Sequence, residues 1–165
     1  MTTNEPQTGE VWLPDDPAAA GGDARLVFIG RVRSAWTRAA PRPRNPTEAR
    51  ARGGEARLEV NPAYRPALIG LERYSHLWVL AWLHEARREP LVIRPPHADA
   101  PVGVLALRSP VRPNPIGLTA VRLLRVDRQA GTVEIDAIDF LDGTPLIDIK
   151  PYRPGIDVMA DAVVG

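Results

Sequence analysis

Wherever the chain shows a hydrophobic pattern, its period is close to two. "RLVFIGRVR" (Arg25 to Arg33) mixes β-branched and aromatic residues and predicts a strand, with Gly30 marking a bulge or a close backbone approach. "ARLEV" (Ala56 to Val60) predicts a short strand closed by "NPAYRP". In "LIGLERYSHLWVLAWLHEA", Leu77, Val79, Ala81 and Leu83 alternate with Trp78, Leu80 and Trp82, so both faces are apolar. We read it as a strand from Ser75 to His84 buried on both sides, rather than as a helix. "VGVLALR" (Val102 to Arg108), "IGLTAVRLLRVD" (Ile116 to Asp127) and "TVEIDAIDF" (Thr132 to Phe140) predict three further strands, and "RQAG" predicts a hairpin turn between the last two.

Long amphipathic helices are scarce. Many strands, short turns and 18 prolines predict a mainly β fold, an antiparallel sheet closed into a small barrel or sandwich with few short helices. Residues 1 to 24 are poor in large apolar groups and read as a flexible arm pinned at Trp12, and 25 to 165 as a single domain. No internal repeat is visible.

With 44% hydrophobic and 25% charged residues in 165, the composition is that of an ordinary globular domain. A net charge of +1 gives little bulk attraction to nucleic acid, so any basic surface must be local. The absence of cysteine excludes disulfides, zinc-thiolate sites and cysteine nucleophiles. The N-terminus shows neither signal-peptide region, and no segment approaches the roughly 20 apolar residues that cross a bilayer. No membrane partner is therefore expected, and the cytoplasm is the expected location.

Four local patterns bear on chemistry. Between Arg31 and Arg57 stand eight arginines against Glu48 and Glu55, a local formal charge of +6 that reads either as a solvated loop or as a surface for a polyanion. In "RSPVRPNPIGL", Pro110, Pro113 and Pro115 stiffen a loop that carries Arg108, Arg112, Asn114 and Gly117. The two guanidinium forks suit a carboxylate or phosphate, although the loop reads equally as a rigid connection. In "DFLDGTPLIDIKPYRPGID", Asp142 and Gly143 supply turn chemistry, and Lys150 is the sole lysine. On a strand, Asp148, Lys150 and Tyr152 share a face, as a polar network or as part of a site. His76 and His84 would share a strand face but lack a carboxylate at ligand spacing, so no metal is expected. Neither a dinucleotide-binding glycine fingerprint nor a P-loop occurs, which disfavours a Rossmann fold.

"IGRVRS", "GLERYSHLWVLAWLH", "RSPVRPNPIGL" and "DFLDGTPLIDIKPY" together resemble, in order and spacing, the TsaA/TrmO-like family, also called the YaeB or VirR family. The resemblance covers about Leu26 to Asp157. It implies a dimeric β-barrel methyltransferase without a Rossmann fold. Such an enzyme uses S-adenosyl-L-methionine to methylate N6 of threonylcarbamoyl-adenosine next to the tRNA anticodon.

Carried over by motif, the cofactor contacts are Arg44, Asn45, Pro46 and Thr47, then Leu83 and His84, then Arg108 and Leu118, and the strand end Asp136, Ala137, Ile138 and Asp139. The resemblance further implies that Arg108 and the strand end shape one pocket. Asp139, Asp142, Lys150 and Tyr152 are the polar candidates for catalysis, and Arg42, Arg50, Arg52, Arg112 and Asn114 for phosphates or the substrate carboxylate. The chain departs from the family at Leu105 and Leu107, where phenylalanine and threonine are common. Longer members also continue beyond the segment that ends here at Gly165. Two other readings stay open: a non-catalytic module that binds S-adenosyl-L-methionine or RNA, and a methyltransferase with a substrate other than tRNA.

Overall fold

The computed structural model describes residues 8–15, 24–39, 41–96 and 98–164, and these contain nine strands and two short α-helices. The strands are β1 (Val11–Trp12), β2 (Gly30–Ser34), β3 (Ala56–Val60), β4 (His76–Trp82), β5 (Pro90–Ile93), β6 (Val102–Gly103), β7 (Ile116–Asp127), β8 (Thr132–Ile135) and β9 (Pro145–Pro151). The helices are α1 (Pro46–Arg52) and α2 (Pro154–Asp157). The chain divides into two compact units, Met1–Leu26 with Leu83–Ile116, and Val27–Trp82 with Gly117–Gly165.

The larger unit is a closed barrel in the order β2-β3-β8-β7-β4-β9. Closure leaves no unpaired edge, the standing hazard of a small sheet. Alternation drives it. Val32, Leu58, Leu77, Val79, Ala81, Val121, Val133 and Leu146 are completely buried, one inward row from each strand. The outer row of β4, Trp78, Leu80 and Trp82, is only half-buried, so burial on both faces holds fully for the inner row alone. In β9 the register slips between Leu146 and Asp148 where it faces Ala81 and Leu80. That bulge moves Asp148 and Lys150 to the outer face, opposite Leu80 and Trp78.

At Gly30 the backbones of β2 and β3 come so close that a Cβ would lie 2.0 Å from the carbonyl oxygen of Glu59. The expected close approach is therefore real. The "DGTP" turn also forms as expected: Gly143 takes φ +80°, and its N–H donates to the carbonyl of Val32 at 2.9 Å. The "RQAG" turn closes with Gly131 N–H donating to Asp127 O at 2.8 Å.

The smaller unit holds the three-stranded sheet β1-β5-β6. Trp12 pairs with Pro90, and the Arg87 guanidinium lies 4.4 Å over its ring; most of the arm expected over residues 1 to 24 lies outside the described residues.

Several boundaries differ from the sequence expectation. Arg25 to Ile29 is not strand, and β2 starts at Gly30. The strand expected over Val102 to Arg108 ends after two residues and tightens into a 3-10 turn, Val104–Ala106. The register Val92↔Gly103 would set residue 105 opposite Pro90, which has no N–H to pair. The strand expected over Thr132 to Phe140 stops at Ile135, since its partner β3 begins at Ala56 after two glycines with positive φ.

Candidate functional site: the barrel rim and the proline loop

Beyond β8 the chain runs along the barrel rim and is clamped there. Trp36 Nε1 donates to the carbonyl of Ile138 at 2.6 Å, and Ser34 Oγ donates to that of Phe140 at 2.7 Å. Asp142 accepts from Ser34 N–H and Arg33, each at 3.2 Å, while its own N–H donates to Trp36 O at 2.8 Å. Asp139 thus lies half-buried between two held carbonyls. Ala137 and Ile138 are buried side chains, so a ligand would meet them through the backbone. The anchoring role of Trp36 was not apparent in the sequence, where it follows the first barrel strand with no partner in view.

The segment Arg31 to Arg57 is not simply a loop, because α1 forms within it. Asn45 caps the helix by accepting from Glu48 N–H at 2.9 Å, Pro46 starts it, and Gly53 ends it with φ +66°. The signature "NPTE…G" was legible but masked by the density of arginines. Arg50 joins α1 to the rim: its Nε donates to Asp136 Oδ2 at 2.6 Å and its Nη2 to Ala120 O at 3.0 Å. Asp136 also accepts from Arg122 N–H at 2.8 Å. The helix start, Asp136 and the exposed Leu118 of β7 therefore belong to one side of the barrel, and Arg44 and Thr47 are exposed there.

Replacing Asp136 by Asn keeps an oxygen for Arg122 and removes the charge that holds Arg50. The expected loss is about 1 kcal/mol of stability, as for a partly exposed pair. Urea unfolding of Asp136→Asn against Arg50→Met and the double variant checks it: fully additive losses would show that the pair contributes nothing.

Most of the arginines are compensated within the chain. Arg31, Arg33 and Arg57 converge on Glu59 at 2.9, 3.0 and 3.1 Å, Arg57 also meets Glu55, and Arg44 and Arg52 hold Glu48. Arg52 further donates to Pro41 O at 2.8 Å. Arg42 is exposed. The formal +6 is thus largely spent on internal pairs and is not a free basic surface.

Burial works to raise the Glu59 carboxyl, but hydrogen bonds from Arg31, Arg57 and Arg33 outweigh it and hold the group at about 2, against an ordinary 4.5. With the folded value depressed, this stabilisation is fully present above about 4.5 and disappears as the pH falls toward about 2. Unfolding of the protein and Glu59→Gln between those limits should show a stability gap that narrows with acid. A gap that stays constant would remove Glu59 as its source.

In the smaller unit the proline loop is braced by backbone contacts. Leu83 N–H donates to Pro115 O at 2.8 Å, Arg88 Nε to Pro113 O at 2.6 Å, and Arg112 Nη2 to Val104 O at 3.4 Å. Asn114 is exposed and its carbonyl accepts from Ile116 N–H at 2.7 Å. Arg108 is exposed at the entry of this stiffened loop, beside a Leu105 that is 82% exposed. His84 lies past the end of β4, in a turn, with Nε2 3.8 Å from Glu85, so it does not share a strand face with His76.

The strand spacing does place Asp148, Lys150 and Tyr152 on one outer face. Lys150 Nζ is 2.7 Å from Asp148, a hydrogen-bonded pair that holds the ammonium above its ordinary value. Tyr152 packs on Trp78 at 5.4 Å between centroids, with His76 at 6.4 Å. These two candidates lie at the far end of β9, whereas Asp139 and Asp142 precede its start. The four are two separate groups.

A small barrel whose rim is built by a "DGTP" turn and an arginine-anchored helix, together with a proline-braced loop, defines a class. Residues 31–158 match the model of the tRNA-methyltransferase O N-terminal domain, and the chain belongs to that family.

Among its relatives is the probable S-adenosyl-L-methionine-binding protein VirR of Rhizobium radiobacter, 41% identical over 87% of this chain and 76% of the relative. The tRNA (adenine(37)-N6)-methyltransferase of Escherichia coli is 38% identical over 81% of this chain and 60% of that protein. The crystal structure of TrmO from Pseudomonas aeruginosa superposes with a TM-score of 0.68 at 37% identity, over 86% of this chain. The chain spans 62% of that solved chain.

Proposed function

We propose that the chain binds S-adenosyl-L-methionine and methylates tRNA, at N6 of threonylcarbamoyl-adenosine next to the anticodon. The observation that carries the reading is the family match over 31–158, with the rim segment and proline loop in the matched region. Taken one by one, the residue types suit the cofactor: Arg108 is an exposed guanidinium for a carboxylate, Leu118 an exposed apolar wall for an adenine, and Asp136 a carboxylate for a sulfonium. When bound, S-adenosyl-L-methionine supplies the methyl group and its leaving group.

The chain's own residues then have two tasks, holding the acceptor nitrogen N6 in line and taking its one proton. Lys150 is held protonated by Asp148 and does not suit the base. Asp139, on the clamped rim, is the carboxylate we assign to it. Arg42, Arg50, Arg52, Arg112 and Asn114 remain the proposed substrate contacts, with Arg42 the best placed because it is exposed and outside the ion pairs described above. A homodimer belongs to this reading, and sedimentation of the full chain checks it.

The test is incubation with S-adenosyl-L-methionine and tRNA bearing or lacking threonylcarbamoyl-adenosine, followed by mass spectrometry of the nucleosides. A methylated product only with the modified tRNA is expected; binding without S-adenosylhomocysteine would leave a non-catalytic module. That second reading draws on the internal pairing of the arginines, which leaves few of them for RNA. Product on a small molecule or protein alone would indicate a different substrate. Arg108→Ala should weaken calorimetric binding of S-adenosyl-L-methionine by about 1.5–3 kcal/mol, the loss of a charge-assisted hydrogen bond. Unchanged affinity in the folded variant removes Arg108 from the site.

A further inference from the structure

We infer that the end of the barrel opposite the rim carries an oxyanion site, a cleft suited to a single phosphate group. The cleft has a volume of about 200 Å³, and Arg31, Glu59, Asn61, Arg65 and Thr132 are among its lining residues. Register sets its place: Glu59 pairs with Thr132 where β3 ends and β8 begins, while the rim lies beyond Ile135 at the other end of the same ladder. Its lining therefore does not include Asp139, the residue proposed for proton removal, although Arg33 joins Glu59 to Asp142 of the rim.

Arg65 is the central observation. It sits in the 3-10 turn Pro62–Leu68, and its Nη1 donates to Gln129 O at 2.7 Å. Its Nε is buried and has no hydrogen-bond partner among the described residues. Nor do the described residues offer it a carboxylate within ion-pair distance. The Nε packs beneath Gly131, whereas the rest of the guanidinium is partly exposed, so its outer N–H groups are the ones an oxyanion in the adjoining cleft would meet.

Arg31 spends its Nε on Glu59 at 2.9 Å and keeps a 55% exposed side chain, so its terminal nitrogens remain for another acceptor. Glu59 would oppose an anion if it stood alone, but three guanidinium groups already surround it. The Thr132 hydroxyl and the Asn61 amide add neutral donors. Two forks on separate elements, plus a hydroxyl, suit a tetrahedral oxyanion with several acceptors better than a planar carboxylate, which one fork satisfies. The cleft is also smaller than the roughly 300–1,000 Å³ that encloses a whole small-molecule ligand.

Titration of the ¹⁵N-labelled full chain with inorganic phosphate at low ionic strength, followed by NMR, tests the site. Saturable shifts at the amides of Asn61, Ala130, Gly131 and Thr132 are expected, absent with chloride at equal ionic strength. Arg65→Gln should weaken the response about tenfold or more, and Arg125→Gln, outside the cleft, should not. If Arg65→Gln does not fold, Thr132→Val and Arg31→Gln replace it.

A second arm uses a short single-stranded RNA. Competition with phosphate at the same amides would identify a nucleic-acid backbone as the source, and a response to phosphate alone would identify a free anion. The absence of saturable shifts at these amides with phosphate, or a parent-like response in the folded cleft variants, overturns the proposal. Neither titration uses S-adenosyl-L-methionine, so failure here leaves the methyl-transfer reading standing.

Discussion

Gly30→Ala is expected to cost about 3 kcal/mol or more, a large share of the roughly 5–15 kcal/mol that holds a domain together. The added Cβ would stand 2.0 Å from Glu59 O, 2.9 Å from Glu59 C and 3.0 Å from Val60 Cα, all backbone atoms of the neighbouring strand. No side chain can rotate away to make room. Relief requires parting β2 from β3, which breaks the Gly30↔Val60 pairing and the barrel closure it serves. Thermal unfolding followed by circular dichroism reads the effect, with Gly155→Ala as control because no atom lies within 4 Å of its added Cβ. A Gly30→Ala melting temperature equal to the parent's would show that the strands separate freely.

Asp139→Asn carries the largest expected effect on activity: turnover about 100-fold lower, with binding of S-adenosyl-L-methionine nearly unchanged. The reason is positional. Ile138 O and Phe140 O are held by Trp36 and Ser34, so the backbone on either side of Asp139 is fixed and the isosteric amide keeps its place without the charge. Single-turnover methylation of modified tRNA, beside calorimetry with the cofactor, separates the two effects. Full turnover in Asp139→Asn would assign proton removal to solvent or to another group. A loss of cofactor affinity equal to the loss of rate would make Asp139 a binding residue.

The two predictions differ in how visible their residues were. Gly30 stood out inside a run of β-formers, and its meaning followed from local chemistry alone: a strand glycine implies a bulge or a near neighbour. Asp139 was named only because the segment resembled a family. Its setting depends on Trp36 and Ser34, 103 and 105 positions earlier, and no periodicity connects such residues.

Local patterning determined the strands over Ile116 to Asp127 and His76 to Trp82, the hairpin at Gly131, the "DGTP" turn and the shared face of Lys150 and Asp148. Each follows from an interaction between near neighbours in the chain, which a period-two pattern or a turn residue encodes. Tertiary structure decided where strands stop, because a strand ends where its partner's N–H groups do, as at Gly103 opposite Val92 and Ile135 at the end of β3. It also decided what the arginines do. Composition counts charges, but only the fold brings Glu59 between Arg31, Arg33 and Arg57, and Asp136 against Arg50, turning an apparent basic segment into a set of internal ion pairs while leaving Arg65 without one among the described residues.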